Sequence, residues 1–245
     1  MTEHELHDAL GEVAQGRVDR GTLGRLARVT VESAKGAGAV GVATGRWLTE
    51  QVVDVAPRLP VRDLQTLRDH HDGLMGAALA GDLIRSATRA SAGVGATAGA
   101  MISAEQLVPA TWVAIPLQLM VETLAVAAIE MKLVAELHEV YHRPVTGSSA
   151  ERASAILAAW AERRGVTPTV LARRGGLADV LGRGTRNELI RMVRRRLAAR
   201  MGRNLSTLTQ LFVGAVAGAE VNRRATRGLG EAIVRDLAAS ASLSS

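Results

Sequence analysis

Cysteine is absent from this chain, which excludes a disulfide framework and any cysteine-ligated zinc site. Aromatic residues are nearly absent too, with one Phe, one Tyr and three Trp in 245 residues. β-Sheets draw on β-branched and aromatic side chains, whereas Ala and Gly suit close helix–helix contact. No alternating strand pattern of useful length occurs, so the sequence reads as all-α. Lysine is confined to Lys35 and Lys132, and neither follows a glycine-rich run as a phosphate loop would require. There is no Ser-His-Asp arrangement. The first twelve residues carry Glu3, Glu5, Asp8 and Glu12 without Lys or Arg. They lack the basic and apolar regions of a signal peptide, so a cytoplasmic start is expected.

What is present is a long apolar stretch. From Ser91 to Ile129 the only ionisable side chains are Glu105 and Glu122. Met120, Leu124, Ala127, Met131, Val134, His138 and Tyr141 then recur at alternating steps of four and three, the stripe of a long helix that buries one face against a partner helix or lipid. A second uncharged run spans Asn204 to Ala219. Its length of 16 residues equals that of the longest uncharged part of the first, Gln106 to Val121. Both fall short of the roughly 20 residues of a spanning helix, and Pro109 and Pro116 interrupt the first. A re-entrant or interfacial hairpin, or the central hairpin of a bundle, fits better.

Charge is segregated. Residues 1–150 carry a net −4 and residues 151–245 a net +10, nearly all of the positive charge being Arg. A capping box at Thr185 and Glu188 opens a basic helix with an apolar stripe of Leu189, Ile190, Val193, Leu197 and Met201. Arg191, Arg194, Arg195, Arg196 and Arg200 are its candidate contacts to anionic lipid. The candidate membrane contacts are Leu107, Trp112, Ile115 and Leu117 in the first run and Leu211, Phe212 and Val213 in the second. Nucleic acid is a weaker partner for the basic helix, which lacks interleaved aromatics.

Other elements follow from caps and breakers. A first helix reaches Val13 or Ala14, and a second runs from about Thr22 to Val53. Gly36, Gly38 and Gly41 spell G-x-G-x-x-G inside it, but no buried strand precedes them and no βαβ pattern follows. Close packing is the better use of the small-residue spacings Gly41/Gly45, Gly95/Gly99 and Gly214/Gly218. Asp69-His70-His71-Asp72 looks like a ligand cluster, yet neighbours on a helix point about 100° apart, and Gly73 marks a helix end. Helices are expected over Gly76 to Arg89 and, after the Ser148/Glu151 capping box, through Trp160. The expected architecture is a single helical-bundle domain over residues 1–240. A central apolar hairpin and a glycine-packed C-terminal helix pair form it, and residues 241–245 are a disordered tail.

Two segments carry a resemblance. The first is Ile115-Pro116-Leu117 leading to Ala135-Glu136-Leu137-His138-Glu139-Val140-Tyr141, and the second is Leu211 to Arg227 with its glycines and Asn222. Together they resemble the EcsC family of bacterial proteins over roughly residues 75–240. The resemblance implies a helical, hydrophobic, membrane-associated protein without catalytic residues to transfer. At the position after Tyr141, where the family usually has Gly, this chain has His142.

That residue completes His138-Glu139-Val140-Tyr141-His142, a literal H-E-x-x-H. On a helix the two imidazoles could hold Zn²⁺ while Glu139 acts as general base. A third ligand is missing, since Val145 and Ser148 occupy the extended-motif positions and Glu162 lacks a supporting setting. The zinc peptidase is therefore an alternative. The leading expectation is a non-catalytic protein, without cofactor, at the cytoplasmic face of the membrane, with lipid as partner. A soluble helical interaction protein is the other alternative.

Overall fold

The computed structural model describes residues 2–43, 46–105, 114–163 and 214–242. Eight α-helices and one 3-10 turn make up the described residues, with no strand among them. The helices are α1 (Thr2–Ala14), α2 (Arg20–Ala43), α3 (Arg46–Val55), α4 (Leu64–His70), α5 (Gly76–Glu105), α6 (Ala114–Val140), α7 (Ser149–Arg163) and α8 (Gly214–Ser242).

Local chemistry sets the boundaries. Gly16, at φ 88°, ends α1: its N–H bonds the Val13 carbonyl and the next N–H, of Arg17, bonds that of Glu12. Asp19 caps α2 by accepting from Thr22 N at 3.0 Å. Pro57 stops α3 in the 3-10 turn Ala56–Arg58. At α7 the capping box is complete, with Ser148 N donating to Glu151 at 2.7 Å and Glu151 N to Ser148 Oγ at 3.3 Å. Three expected boundaries differ. The 22–53 helix is divided between α2 and α3, and Gly76–Glu105 is one helix of 30 residues that runs on past Arg89. Nothing in the Gly93–Gly99 sequence breaks it, because isolated glycines weaken a packed helix without ending it. Gly214–Ser242 is likewise one helix where a C-terminal pair was expected, and it takes in residues 241 and 242 of the expected tail.

Helix α6 is the axis of the molecule. Every residue from Glu122 to Leu137 is buried, and α6 touches each of the seven other described helices. The one-sided stripe is thus a partial account, because a helix surrounded on all sides has no solvent face. Its enclosure carries Glu122, Glu130, Lys132 and Glu136 inside, all at 8% exposure or less. Buried charges need partners, and these have them. Glu122 accepts from Asn222 Nδ2 at 2.7 Å. Glu130 accepts from Trp160 Nε1 at 2.9 Å and lies 2.8 Å from the Thr226 hydroxyl, itself 2.9 Å from Ser91 Oγ. One polar cluster therefore joins α5, α6, α7 and α8.

The most extensive helix pair is α5 with α8. A Cβ on Gly95 would come within 2.5 Å of the Gly218 carbonyl oxygen, and one on Gly218 within 2.9 Å of the Gly95 oxygen. The two backbones are in contact there, which only glycine permits. Ile84 occupies the equivalent space at Gly230.

Candidate functional site

The helix directions gather three helix ends in one place. Ile84 meets Gly230, Ser91 meets Thr226 and Gly95 meets Gly218, so α5 and α8 are antiparallel. Glu122 meets Asn222 and Glu130 meets Thr226, so α6 and α8 are parallel. The C-terminal end of α5, the N-terminal end of α6 and the N-terminal end of α8 therefore lie at the same end of the bundle. The Gly95–Gly218 contact and the Glu122–Asn222 bond mark its inner limit. Beyond that limit, residues 96–105 of α5, 114–121 of α6 and 214–217 of α8 carry a single ionisable side chain, Glu105.

The predicted membrane contacts divide around this end. Ile115 and Leu117 belong to the first turns of α6. Leu107 and Trp112, in the α5–α6 connection, and Leu211, Phe212 and Val213, immediately before α8, lie outside the described residues. Arg191, Arg194, Arg195, Arg196 and Arg200 also lie outside them, as does Gly45, while Gly41 is in the last turn of α2. The G-x-G-x-x-G glycines all fall within α2 itself, where no strand delivers a phosphate to free N–H groups.

The H-E-x-x-H segment is taken apart by the end of α6. His142 N bonds the Glu139 carbonyl at 3.1 Å and Arg143 N that of His138 at 2.9 Å, the double closure of a left-handed helix cap. His142 is the residue in the left-handed conformation, at φ 54°, and is exposed. It has left the helix and no longer stands one turn above His138. The His138 ring is held by Nδ1 at 2.7 Å from the Val134 carbonyl. Burial, with Asp63 nearby, raises the Glu139 carboxyl above its ordinary range. Among the described residues no three His, Asp or Glu side chains are grouped to hold a metal. His70 and His71 likewise diverge: His70 Nδ1 is 2.8 Å from the Thr66 carbonyl, and His71 Nδ1 is 2.6 Å from Asp82.

A second feature lies toward the opposite half of α6. Lys132 Nζ and Glu136 are hydrogen-bonded, and the same carboxylate oxygen is 3.7 Å from Arg62 Nη1 and 3.4 Å from Arg62 N. This triad borders a cavity of about 240 Å³ that His70 and His71 also line. Composition alone gave no sign of it. The available signal was the run Glu130, Lys132, Glu136 inside an otherwise apolar helix, where two apolar flanks force charge inward.

Comparison with protein-family models, with curated proteins and with solved structures gives no match for this chain.

Proposed function

We propose that this chain is a non-catalytic, membrane-associated helical protein that docks through the apolar end of its bundle. The observation that carries the reading is the convergence of the α5, α6 and α8 ends, which brings residues 114–121 and 214–219, the described parts of the two uncharged runs, to one pole. No described helix is long and apolar enough to cross a membrane. Insertion into one leaflet demands less. From Gly95 to Glu105 a helix advances about 15 Å, half of the roughly 30 Å hydrocarbon layer. The paired glycines let two backbones descend side by side without a polar gap between them. The basic segment around Arg191–Arg200 supplies headgroup contacts in this reading, each arginine contributing on the order of 1 kcal/mol at an anionic surface. The EcsC-like residues point the same way, toward a regulatory or scaffolding role at the inner face of the membrane.

Tryptophan reports on the pose. Trp47 and Trp160 are buried in the bundle at 3% and 2% exposure, so a lipid-borne quencher reaches Trp112 first. The protein should float with vesicles containing anionic lipid, and brominated acyl chains should quench its emission. Substitutions Leu117→Asp and Leu211→Asp should abolish both effects. Flotation without quenching, or none at all, sinks the proposal.

A soluble interaction protein is the second reading, favoured by the complete enclosure of α6 from Glu122 to Leu137. That enclosure removes the middle of the hairpin from any lipid contact and leaves only its tip. A monodisperse, detergent-free protein that ignores vesicles would decide for this reading.

A further inference from the structure

We propose that the cavity beneath Lys132 and Arg62 is a binding site for one small, free oxyanion, of the phosphate or short carboxylate class. It lies between the end of α1, the end of α4, α5 and α6, and its polar lining is Gln15, Arg62, His70, His71, Ser86, Lys132 and Glu136. Among these Glu136 is the one carboxylate, facing the Arg62 guanidinium, the Lys132 amine and two imidazoles.

The charge balance makes the argument. Lys132 and Arg62 converge on a single oxygen of Glu136, with side-chain exposures of 6%, 27% and 3% respectively. One carboxylate between two cations leaves an excess positive charge on the cavity wall, carried by the half-buried Arg62, which also borders a neighbouring pocket lined by Asp63 and Glu139. Asp82 lies behind His71, paired with its Nδ1 and with Arg85, so it serves that imidazole and does not line the cavity. An oxyanion in the cavity would supply the missing charge and accept from both the ammonium and the guanidinium, the stronger class of hydrogen bond. Burial already moves the Lys132 ammonium below the ordinary lysine range, and Glu136 offsets only part of this.

Size selects the ligand. About 240 Å³ is below the roughly 300–1,000 Å³ of drug-sized or cofactor pockets. A single phosphate or short carboxylate with a few waters fills that space. Position selects the source. Lys132 is 18 residues into α6 from Ala114, about 27 Å along the axis from the apolar pole. A lipid headgroup engaged by that pole would not reach the cavity, so the ligand is a free anion.

Calorimetric titration of the full-length protein with inorganic phosphate at low ionic strength tests this. Saturable binding at one site is expected, weakened about tenfold or more in Arg62→Gln. Arg85→Gln, which removes an exposed cation outside the cavity, should leave the affinity unchanged. Lys132→Met should also lose binding, but it leaves Glu136 short of a buried partner and can unfold the chain. The Arg62 variant, on a half-buried side chain, carries the test. No saturable heat with phosphate overturns the proposal, as does equal loss in the Arg62 and Arg85 variants or no loss in Arg62→Gln. Binding to vesicles bearing phosphomonoester headgroups with none to free phosphate overturns it too.

Discussion

At the residue scale, three backbone positions separate fit from strain. His142 holds a left-handed conformation at the cap of α6, a position that glycine occupies at lower cost. His142→Gly should raise stability by about 0.5–1 kcal/mol, once the entropy of the freer unfolded chain is subtracted. The midpoint of thermal unfolding checks it, and a loss of stability would show that the exposed imidazole holds something. Gly95→Ala should do the reverse, because its Cβ would meet main-chain atoms of Gly218 that cannot rotate away. A loss of at least about 2 kcal/mol is expected. Gly36 is the control: nothing lies within 4 Å of its Cβ position, so Gly36→Ala should gain about 0.5–1 kcal/mol in α2. Urea titration of the two alanine variants should therefore give opposite signs. His7 makes a pH prediction. Burial, then Arg58, lowers its pKa from 6.5, and its buried Nε2 lacks a hydrogen-bond partner. Its folded pKa is below its unfolded one, so the unfolded state binds more protons in that window. The neutral ring's contribution is intact above pH 6.5 and lost as pH falls below it. Denaturant midpoints should drop from pH about 7.5 to about 5 in the wild type, and less steeply in His7→Leu.

At the element scale, α6 is where sequence and structure part company. Its helical nature was legible from periodicity, and its apolarity from composition, but both suggested a stripe with one buried face. Seven neighbouring helices instead enclose it. The reason is that a stripe describes what one partner needs, while the number of partners depends on how distant segments return. Glu130 illustrates this. It follows directly on the sparsely charged Ser91–Ile129 stretch, yet it is fully buried and tied to Trp160 and Thr226. Replacing Thr226 by Val removes the hydroxyl that joins Glu130 to Ser91 and should cost about 1–3 kcal/mol. Because Trp160 donates to the same carboxylate, its emission should shift in that variant. An unchanged midpoint and unchanged emission would mean that water replaces the hydroxyl.

At the scale of the whole molecule, polarity along the bundle axis is the organising fact. One pole collects three helix ends with Glu105 as their single ionisable side chain outside the Glu122–Asn222 bond. The other half holds the Lys132–Glu136–Arg62 triad and the paired His71 and Asp82. A membrane reading uses the first and an anion-binding reading the second, and each can fail without the other. Raising salt should weaken vesicle binding that depends on the arginine segment, since exposed charges are screened over about 8 Å at physiological ionic strength. Flotation that persists at high salt would assign docking to the apolar pole alone.

By itself the sequence determined the helical class, some of the caps, and the small-residue spacings, because these depend on residues within one or two turns of each other. The Ser148–Glu151 box and the Gly16 cap were legible for that reason. What tertiary structure alone decided is which glycines touch and which charges go inside. Those outcomes rest on contacts between residues more than 100 positions apart, Ser91 with Thr226, 135 positions apart, being one. No local pattern encodes such a meeting, since it follows from the packing of whole helices.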